Sequence, residues 1–192
     1  MSNIATKINK KKGFIILGFY LFLICFSLAN MEIQIEGANG WASKLPTWRN
    51  TNPNLTWIFG GRPITGYHVF LNLVLLTFFH FPLLFSSVSL LNEMTILYCY
   101  VIVGVIWDLQ WFILNPSFGI ANYNASKIWW FKKWAFGFPV DYYFGIVLSF
   151  VFFMSPSIFG KHSWRDRLVG WIISTFTLIF LTSILTGTKE LF

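Results

Sequence analysis

The sequence predicts an all-α integral membrane protein, a bundle of about five transmembrane helices with two long structured loops on one face. Hydrophobic residues account for 56% of the 192 residues, aromatic residues for 21% and charged residues for only 11%. A soluble domain of this length has too little interior for so much apolar surface, and about a quarter of an average soluble chain is charged. We therefore expect one transmembrane domain over residues 1–192.

Five apolar runs have the length, roughly 17–25 residues, that the hydrocarbon core of a bilayer requires. They predict spans at residues 14–29, 67–91, 95–114, 140–159 and 168–186. The first run follows three lysines at 10–12 and ends at Ala29, a pattern that also fits a cleavable secretory signal. Because its apolar core is at the long end for a signal, we expect it to be retained as a helix.

The net charge of +7 does not indicate nucleic-acid binding, because the basic residues flank the apolar runs instead of forming one patch. Such residues orient membrane helices and contact anionic lipid headgroups. Seven fall on each side, but those of the N-terminal side are concentrated in a short tail and in the turn at 161–167. The positive-inside rule then predicts the N-terminus inside, in a plasma or inner membrane, with outer loops at 31–66 and 115–139.

Tryptophan is unevenly distributed in this topology. Only Trp164 and Trp171 remain for the inner side, whereas aromatic belts normally occupy both boundaries of a bilayer. The excess predicts that the outer face is a working surface. The eight outer tryptophans are Trp41, Trp48, Trp57, Trp107, Trp111, Trp129, Trp130 and Trp134.

Three predicted spans each carry one ionisable residue near the outer end: His68, Asp108 and Asp141. A charged side chain within the hydrocarbon region costs about 2–3 kcal/mol on insertion scales, so it needs a partner, a proton or water. Histidine and carboxylates that converge in a helical bundle form acid–base pairs or metal sites. Each residue also has a structural alternative: an interhelical hydrogen bond for Asp108, a helix cap for Asp141 and a loop hydrogen bond for His68.

The first outer loop adds candidate partners for these groups. Glu32 and Glu36 follow the first span at positions i and i+4, and Glu36 is the expected fourth catalytic residue. Arg62 follows two glycines and can bind a phosphate or carboxylate of a substrate. The alternative for Arg62 is a structural ion pair with Glu36 or Asp141.

Further substrate-binding candidates lie around the second loop. Asn115 is seven residues beyond Asp108 on the same helix face, and Trp111 is one turn beyond it. Lys132 and Lys133 alternate with aromatic residues in a segment that predicts an interfacial helix, with ammonium groups on lipid phosphates.

A metal ion held by His68, Asp108 and Asp141 fits this set of groups. A haem on His80 would need a second histidine at similar depth, and His162 lies in the inner turn, so the sequence argues against haem. The catalytic signatures HExxH, GxSxG and HxxxxD do not occur.

Three functions remain open from the sequence. The first is an enzyme that acts on a lipid or lipid-linked substrate at the outer membrane interface. The second is a non-catalytic subunit of a larger membrane complex, for which the surplus of Phe and Trp would supply packing surface. The third is a small transporter or proton pathway through Asp108, His80 and Glu93.

Overall fold

The computed structural model describes residues 2–56, 60–160 and 162–187. Five of its helices are long and apolar enough to cross a membrane, which confirms the helical class and indicates an integral, multi-pass membrane protein. Trp57 and Lys161 lie outside the described residues. The helices are α1 (Ser2–Glu36), α2 (Pro53–Thr56), α3 (Gly66–His80), α4 (Leu90–Leu114), α5 (Val140–Ile158) and α6 (Trp164–Leu185).

The first helix extends past its predicted end at Ala29. The seven residues from Asn30 to Glu36 include no Gly or Pro, and α1 ends before Gly37, whose φ of +61° suits glycine at a helix C-terminus. The prediction that Glu32 and Glu36 lie in a loop is therefore wrong. Both glutamates belong to the last turns of α1, which fixes their position relative to the bundle.

The second span is shorter than predicted. It ends at His80 and continues as a 3₁₀ turn over Phe81–Leu84, because Pro82 lacks the N–H that a continuing α-helix needs. The third span, α4, begins at Leu90 and not at the predicted residue 95, because the Ser89 hydroxyl caps it by accepting a hydrogen bond from the Asn92 N–H at 3.2 Å.

Helix α4 forms the centre of the bundle. It packs against α1, α3, α5 and α6, and α1 and α5 also pack against α6. Buried polar side chains join α4 to α6: the Tyr98 hydroxyl lies 2.8 Å from Ser174 Oγ and 3.2 Å from Thr175 Oγ1, and the Gln110 amide donates to Thr182 Oγ1 at 2.7 Å. Among the described residues of the spanning helices, those of α3 pack appreciably only on α4.

The two long loops connect the helices at one end of the bundle, called here the loop end. The C-termini of α1 and α4 and the N-termini of α3 and α5 meet there. The first loop contains an antiparallel pair, β1 (Arg49–Asn50) with β2 (Ile64–Thr65), and the second contains β3 (Trp134–Ala135) with β4 (Phe138–Pro139). Both loops are thus ordered against the helix ends, within the part of the chain described.

Aromatic rings hold the second loop in place. Trp130 stacks on Phe112 of α4 with ring centroids 6.0 Å apart, and it also contacts Trp111 and Phe118 edge-on or tilted. The prediction of an interfacial helix over residues 127–134 is wrong, because this segment is a series of turns. Burial of Trp130 and Phe131 among these rings stabilises it without helical hydrogen bonds.

Candidate functional site

A cavity of about 470 Å³ opens at the loop end between α3, α4 and α5. This volume lies within the roughly 300–1,000 Å³ of typical small-molecule sites. Its apolar lining residues include Val69, Val101 and Val105. The polar and aromatic side chains that line it include Glu32, Trp41, Arg62, Asn72, Tyr100, Trp107 and Tyr142.

Three of the predicted site residues line this cavity together with Arg62. His68 lies in the first turn of α3, Asp108 in the second-last turn of α4, and Asp141 in the first turn of α5. The expectation that these helices present their ionisable groups at one end of the bundle therefore agrees with the geometry.

Arg62 reaches the cavity from the first loop and pairs with Asp141, one of the two partners predicted for it. Its Nη2 donates to Asp141 Oδ2 at 2.5 Å, and its guanidinium lies 4.5 Å from the ring centre of Trp41 and 4.8 Å from that of Phe131. Burial lowers the pKa of Arg62, while the Asp141 carboxylate opposes this shift. Arg62 therefore stays cationic at neutral pH, since an unperturbed guanidinium titrates above about 12. Asp141 is thus an ion-pair partner and does not cap α5, whose N-cap is Pro139.

Trp41 is held in place by an unusual backbone conformation. Trp41 and Ala42 have φ values of +56° and +51°, which cost non-glycine residues about 1–3 kcal/mol each and concentrate at functional sites. The Trp41 indole N–H donates to the Pro63 carbonyl at 2.8 Å, and the ring stacks on His68 with centroids 4.2 Å apart. The hydrogen bond and the stacking contact offset part of this strain. They hold Trp41 as a rigid wall beside Arg62 and His68.

His68 is oriented by Thr65, the residue that caps α3. The Thr65 hydroxyl accepts a hydrogen bond from the His68 backbone N–H at 3.2 Å, and it lies 2.7 Å from Nδ1 of the imidazole. This contact replaces the loop carbonyl considered as the alternative partner of His68. Because Nδ1 is engaged, Nε2 is the nitrogen left for chemistry.

Glu32 and Glu36 lie one helical turn apart on α1, and both are buried. Each offers one carboxylate oxygen that lies within 4.8 Å of the other and of a ring nitrogen of His68. The Tyr67 hydroxyl donates to Glu32 Oε1 at 3.5 Å, and the Ala42 N–H donates to Glu36 Oε1 at 2.5 Å. One oxygen of each carboxylate is thus oriented by the protein.

Asp108 accepts a hydrogen bond from the Tyr142 hydroxyl, which joins α4 to α5. The interhelical hydrogen bond that the sequence offered as a structural alternative is therefore present. Asp108 nevertheless lines the cavity, close enough to Glu32 and Glu36 to interact with both electrostatically. Asp108 therefore both joins α4 to α5 and contributes a carboxylate to the cavity.

The other predicted binding residues lie away from the cavity lining. Asn115 ends α4, where its amide donates to the Gly37 carbonyl at 2.6 Å and ties α4 to α1. Trp111 is buried among the rings of the second loop. Lys132 and Lys133 are exposed on the surface of that loop.

Sequence reasoning missed Trp41, Tyr142 and Thr65 as parts of the site. Thr65 could have been found, because Thr three residues before His68 at a helix start is a capping pattern. Tyr142 adjoins the predicted Asp141 but no spacing rule pairs it with Asp108. Trp41 gave no signal beyond the general excess of tryptophan, since its position depends on the backbone at residues 41–42.

Comparison with known proteins found no relative from which a function could be inferred. The chain matches no protein-family model, no curated protein and no solved structure.

Proposed function

We propose that the chain is an integral membrane enzyme that acts on a lipid or lipid-linked substrate in the cavity at the loop end. The observation that carries the proposal is the two-part character of this cavity. Ionisable groups lie at the helix ends near the loops, whereas the lining residues of α4 farther from that end, Val105, Gly104, Val101 and Tyr100, are largely apolar. An amphiphile with an anionic headgroup and an apolar tail has the same division.

A lateral entrance supports a substrate that arrives from the bilayer. Helix α3 packs on α4 but makes no substantial contact with α5 among the described residues, so the cavity between them has an open side. The floor of this opening includes Gly104 of α4, which has no side chain to fill it. A lipid tail can enter between α3 and α5 without leaving the hydrocarbon region.

The roles of the side chains follow from their surroundings. Arg62 binds the anionic headgroup, since a guanidinium held over aromatic rings is a pre-oriented donor for phosphate or carboxylate. Asp108 exchanges a proton with the substrate, and Tyr142 holds its carboxylate in position. His68 and Asp141 complete the polar wall, and a carboxylate oxygen of Glu36 lies within 4.8 Å of a ring nitrogen of His68. Lys132 and Lys133 contact neighbouring headgroups from the loop surface.

The proposed orientation follows from the density of basic residues. The short N-terminal tail and the turn at 161–167 lie on the inner side of a plasma or inner membrane, and the loop end faces outward. The substrate is then a lipid of the outer leaflet.

Lipid analysis tests the proposed activity. The full-length protein and Asp108→Asn are reconstituted in nanodiscs made from total lipid extract of the producing cells, and lipids are compared by mass spectrometry over time. We expect one lipid class to be converted by the wild-type protein and at least about 100-fold more slowly by the variant, the usual size of an acid–base contribution.

The matched control is Asp166→Asn at the opposite end of the bundle, where Asp166 pairs with Lys10. This variant should convert lipid at the wild-type rate. No conversion by the wild-type protein, or full activity in Asp108→Asn, would overturn the proposed enzyme.

A partner subunit is the second candidate function, and the exposed surface of α3 favours it. Phe70 and Val74 on this helix are 61% and 66% exposed, and only 11% of the apolar stretch that begins with α3 is buried. Another membrane protein could pack there. A stoichiometric partner seen by native mass spectrometry after mild extraction, together with no lipid conversion, would favour this function.

A proton pathway through Asp108, His80 and Glu93 has less support. His80 and Glu93 do pair, at 3.1 Å, but Glu93 lies 15 residues before Asp108 on α4, or about 22 Å along the helix. Buried apolar side chains of α4, including Ile102 and Val103, occupy the intervening length.

A further inference from the structure

We infer that Glu32, Glu36 and His68 form a binding site for a divalent transition-metal cation at the inner wall of the cavity. These residues differ from the set that the sequence suggested for a metal. Among the described residues, they are the one group of three or more potential ligands whose donor atoms lie together, within 4.8 Å of one another. The metal's catalytic role rests on the proposed function, but its binding does not.

The spacing of the ligands suits one ion. Glu32 and Glu36 present their carboxylates from adjacent turns of the same helix face, and His68 approaches from α3. With bonds of about 2.1 Å in tetrahedral geometry, two ligand atoms on one ion are about 3.4 Å apart. The donor atoms lie within 4.8 Å of one another, so closing the widest pair requires a side-chain adjustment of at most about 1.4 Å.

Each proposed ligand is also fixed from behind. The Thr65 hydroxyl orients the His68 ring at Nδ1 and leaves Nε2 for the ion. The Tyr67 hydroxyl donates to one oxygen of Glu32, and the Ala42 N–H donates to one oxygen of Glu36. Groups of this kind commonly orient metal ligands and raise their affinity.

The carboxyl groups around the cavity outnumber its basic side chains. Glu32, Asp108 and Asp141 line it, Glu36 lies beside Glu32, and among the described residues Arg62 is the one arginine or lysine in the lining. Arg62 pairs with Asp141, and across residues 10–56, 60–160 and 162–187 no cationic side chain lies within ion-pairing distance of Glu32 or Glu36. Two buried carboxylates in contact need protons or a metal ion, because unpaired buried charge is very costly.

The Trp107 indole helps to orient the first proposed ligand. It lines the cavity, is almost fully buried, and its N–H interacts with the Glu32 carboxylate. An indole N–H cannot bind a cation, but it can hold a carboxylate in the position that a cation needs.

The remaining carboxylates are committed elsewhere, which explains why they are not ligands. Asp141 is ion-paired to Arg62, and Asp108 accepts from Tyr142. Three protein ligands leave open coordination positions, as in catalytic zinc sites. One imidazole and two carboxylates suit Zn²⁺, Mn²⁺ or Fe²⁺ better than a soft, thiolate-seeking ion.

Metal binding is measured on the full-length protein in detergent after treatment with a chelator and dialysis against Zn²⁺ or Mn²⁺. Elemental analysis should find one equivalent of metal per chain. Glu32→Gln, Glu36→Gln and His68→Gln should each weaken the affinity at least tenfold. The matched control is Glu93→Gln, which alters a Glu–His pair at the other end of α3 and α4 and should bind like the wild-type protein.

A spectrum of the wild-type protein keeps the test decisive if a variant fails to fold. Co²⁺ bound to imidazole and carboxylates should give a visible absorption band that Zn²⁺ removes by competition. No stoichiometric binding, no Co²⁺ band, or unchanged affinity in folded variants would overturn the metal site. If metal-free protein converts lipid, the metal has no catalytic role and the enzyme proposal stands. If the protein binds metal but converts no lipid, the metal site stands and the enzyme proposal is overturned.

Discussion

The guanidinium of Arg62 and the carboxylate of Asp141, 79 residues apart in the chain, are joined at 2.5 Å across the mouth of the cavity. The arginine side chain is 11% exposed and the aspartate side chain 43%. The contact closes the first loop onto the start of α5. It is one of the two ion pairs that the sequence offered as the structural alternative for Arg62.

This ion pair should contribute measurably to stability. We expect a coupling free energy of about 1–3 kcal/mol from the double-mutant cycle of Arg62→Met and Asp141→Asn, since the Arg62 side chain is largely buried whereas that of Asp141 is partly exposed. The measurement is unfolding by SDS titration, followed by tryptophan fluorescence. The cycle of Lys10→Met and Asp166→Asn is the control, because both of those side chains are at least half exposed and should couple by less than about 1 kcal/mol. Equal couplings in the two cycles would contradict this prediction.

Close packing of α1 on α6 should make Gly18 intolerant of any side chain. A Cβ at this position would lie 2.5 Å from the Ser174 carbonyl oxygen, which belongs to the backbone and cannot move aside. Gly18→Ala should destabilise the protein by about 1–3 kcal/mol through overpacking. Gly13→Ala on the same helix meets nothing within 4 Å and should be neutral or slightly stabilising. The same SDS titration measures both, and equal midpoints would refute the close approach.

The Tyr98 hydroxyl should stabilise the contact of α4 with α6. It lies 2.8 Å from Ser174 Oγ and 3.2 Å from Thr175 Oγ1, and the residue is fully buried. Tyr98→Phe should lower the free energy of unfolding by about 0.6–1.7 kcal/mol, the range found for hydrogen bonds between membrane helices. Tyr20→Phe, which removes a hydroxyl from an exposed ring, should have no effect. A similar loss in both variants would assign the effect to the ring and not to the hydrogen bond.

The sequence predicted the spans well because the bilayer constrains them strongly. A run of apolar residues long enough to cross it has few alternatives, so the number of spans followed from the lengths of the apolar runs. Boundaries were less certain. Continuation of α1 to Glu36 and the early end of α3 at His80 depended on Gly37 and Pro82, which act locally.

The site was predictable only where a residue type is costly in a membrane. His68, Asp108 and Asp141 stood out for that reason, and all three line the cavity. Trp41 and Tyr142 did not, because their roles come from contacts between distant segments that no spacing along one helix reveals. Asn115 shares a helix face with Asp108, but its side chain accepts hydrogen bonds from the backbone N–H groups of Ser117 and Phe118 just beyond the end of α4. Spacing along a helix face does not reveal such a capping role.

Retention of α1 is a further prediction that bears on both proposals. Leu21, Cys25 and Ala29 are fully buried against the rest of the bundle, and Glu32 and Glu36 follow on the same helix. Cleavage after Ala29 would remove these three core side chains and destabilise the wall that holds the glutamates. Mass spectrometry of the purified protein should therefore find the residues before Ala29 still attached. A mass short of the first 29 residues would contradict the packing of α1.

The open side between α3 and α5 changes how an affinity for this cavity must be expressed. A molecule that enters from the bilayer is counted by its mole fraction among the lipids, and its molarity in the surrounding water is irrelevant to occupancy. Diluting a reconstituted sample with buffer should leave occupancy unchanged, whereas adding inert lipid should lower it. Titrations of this protein therefore belong on an axis of mole per cent.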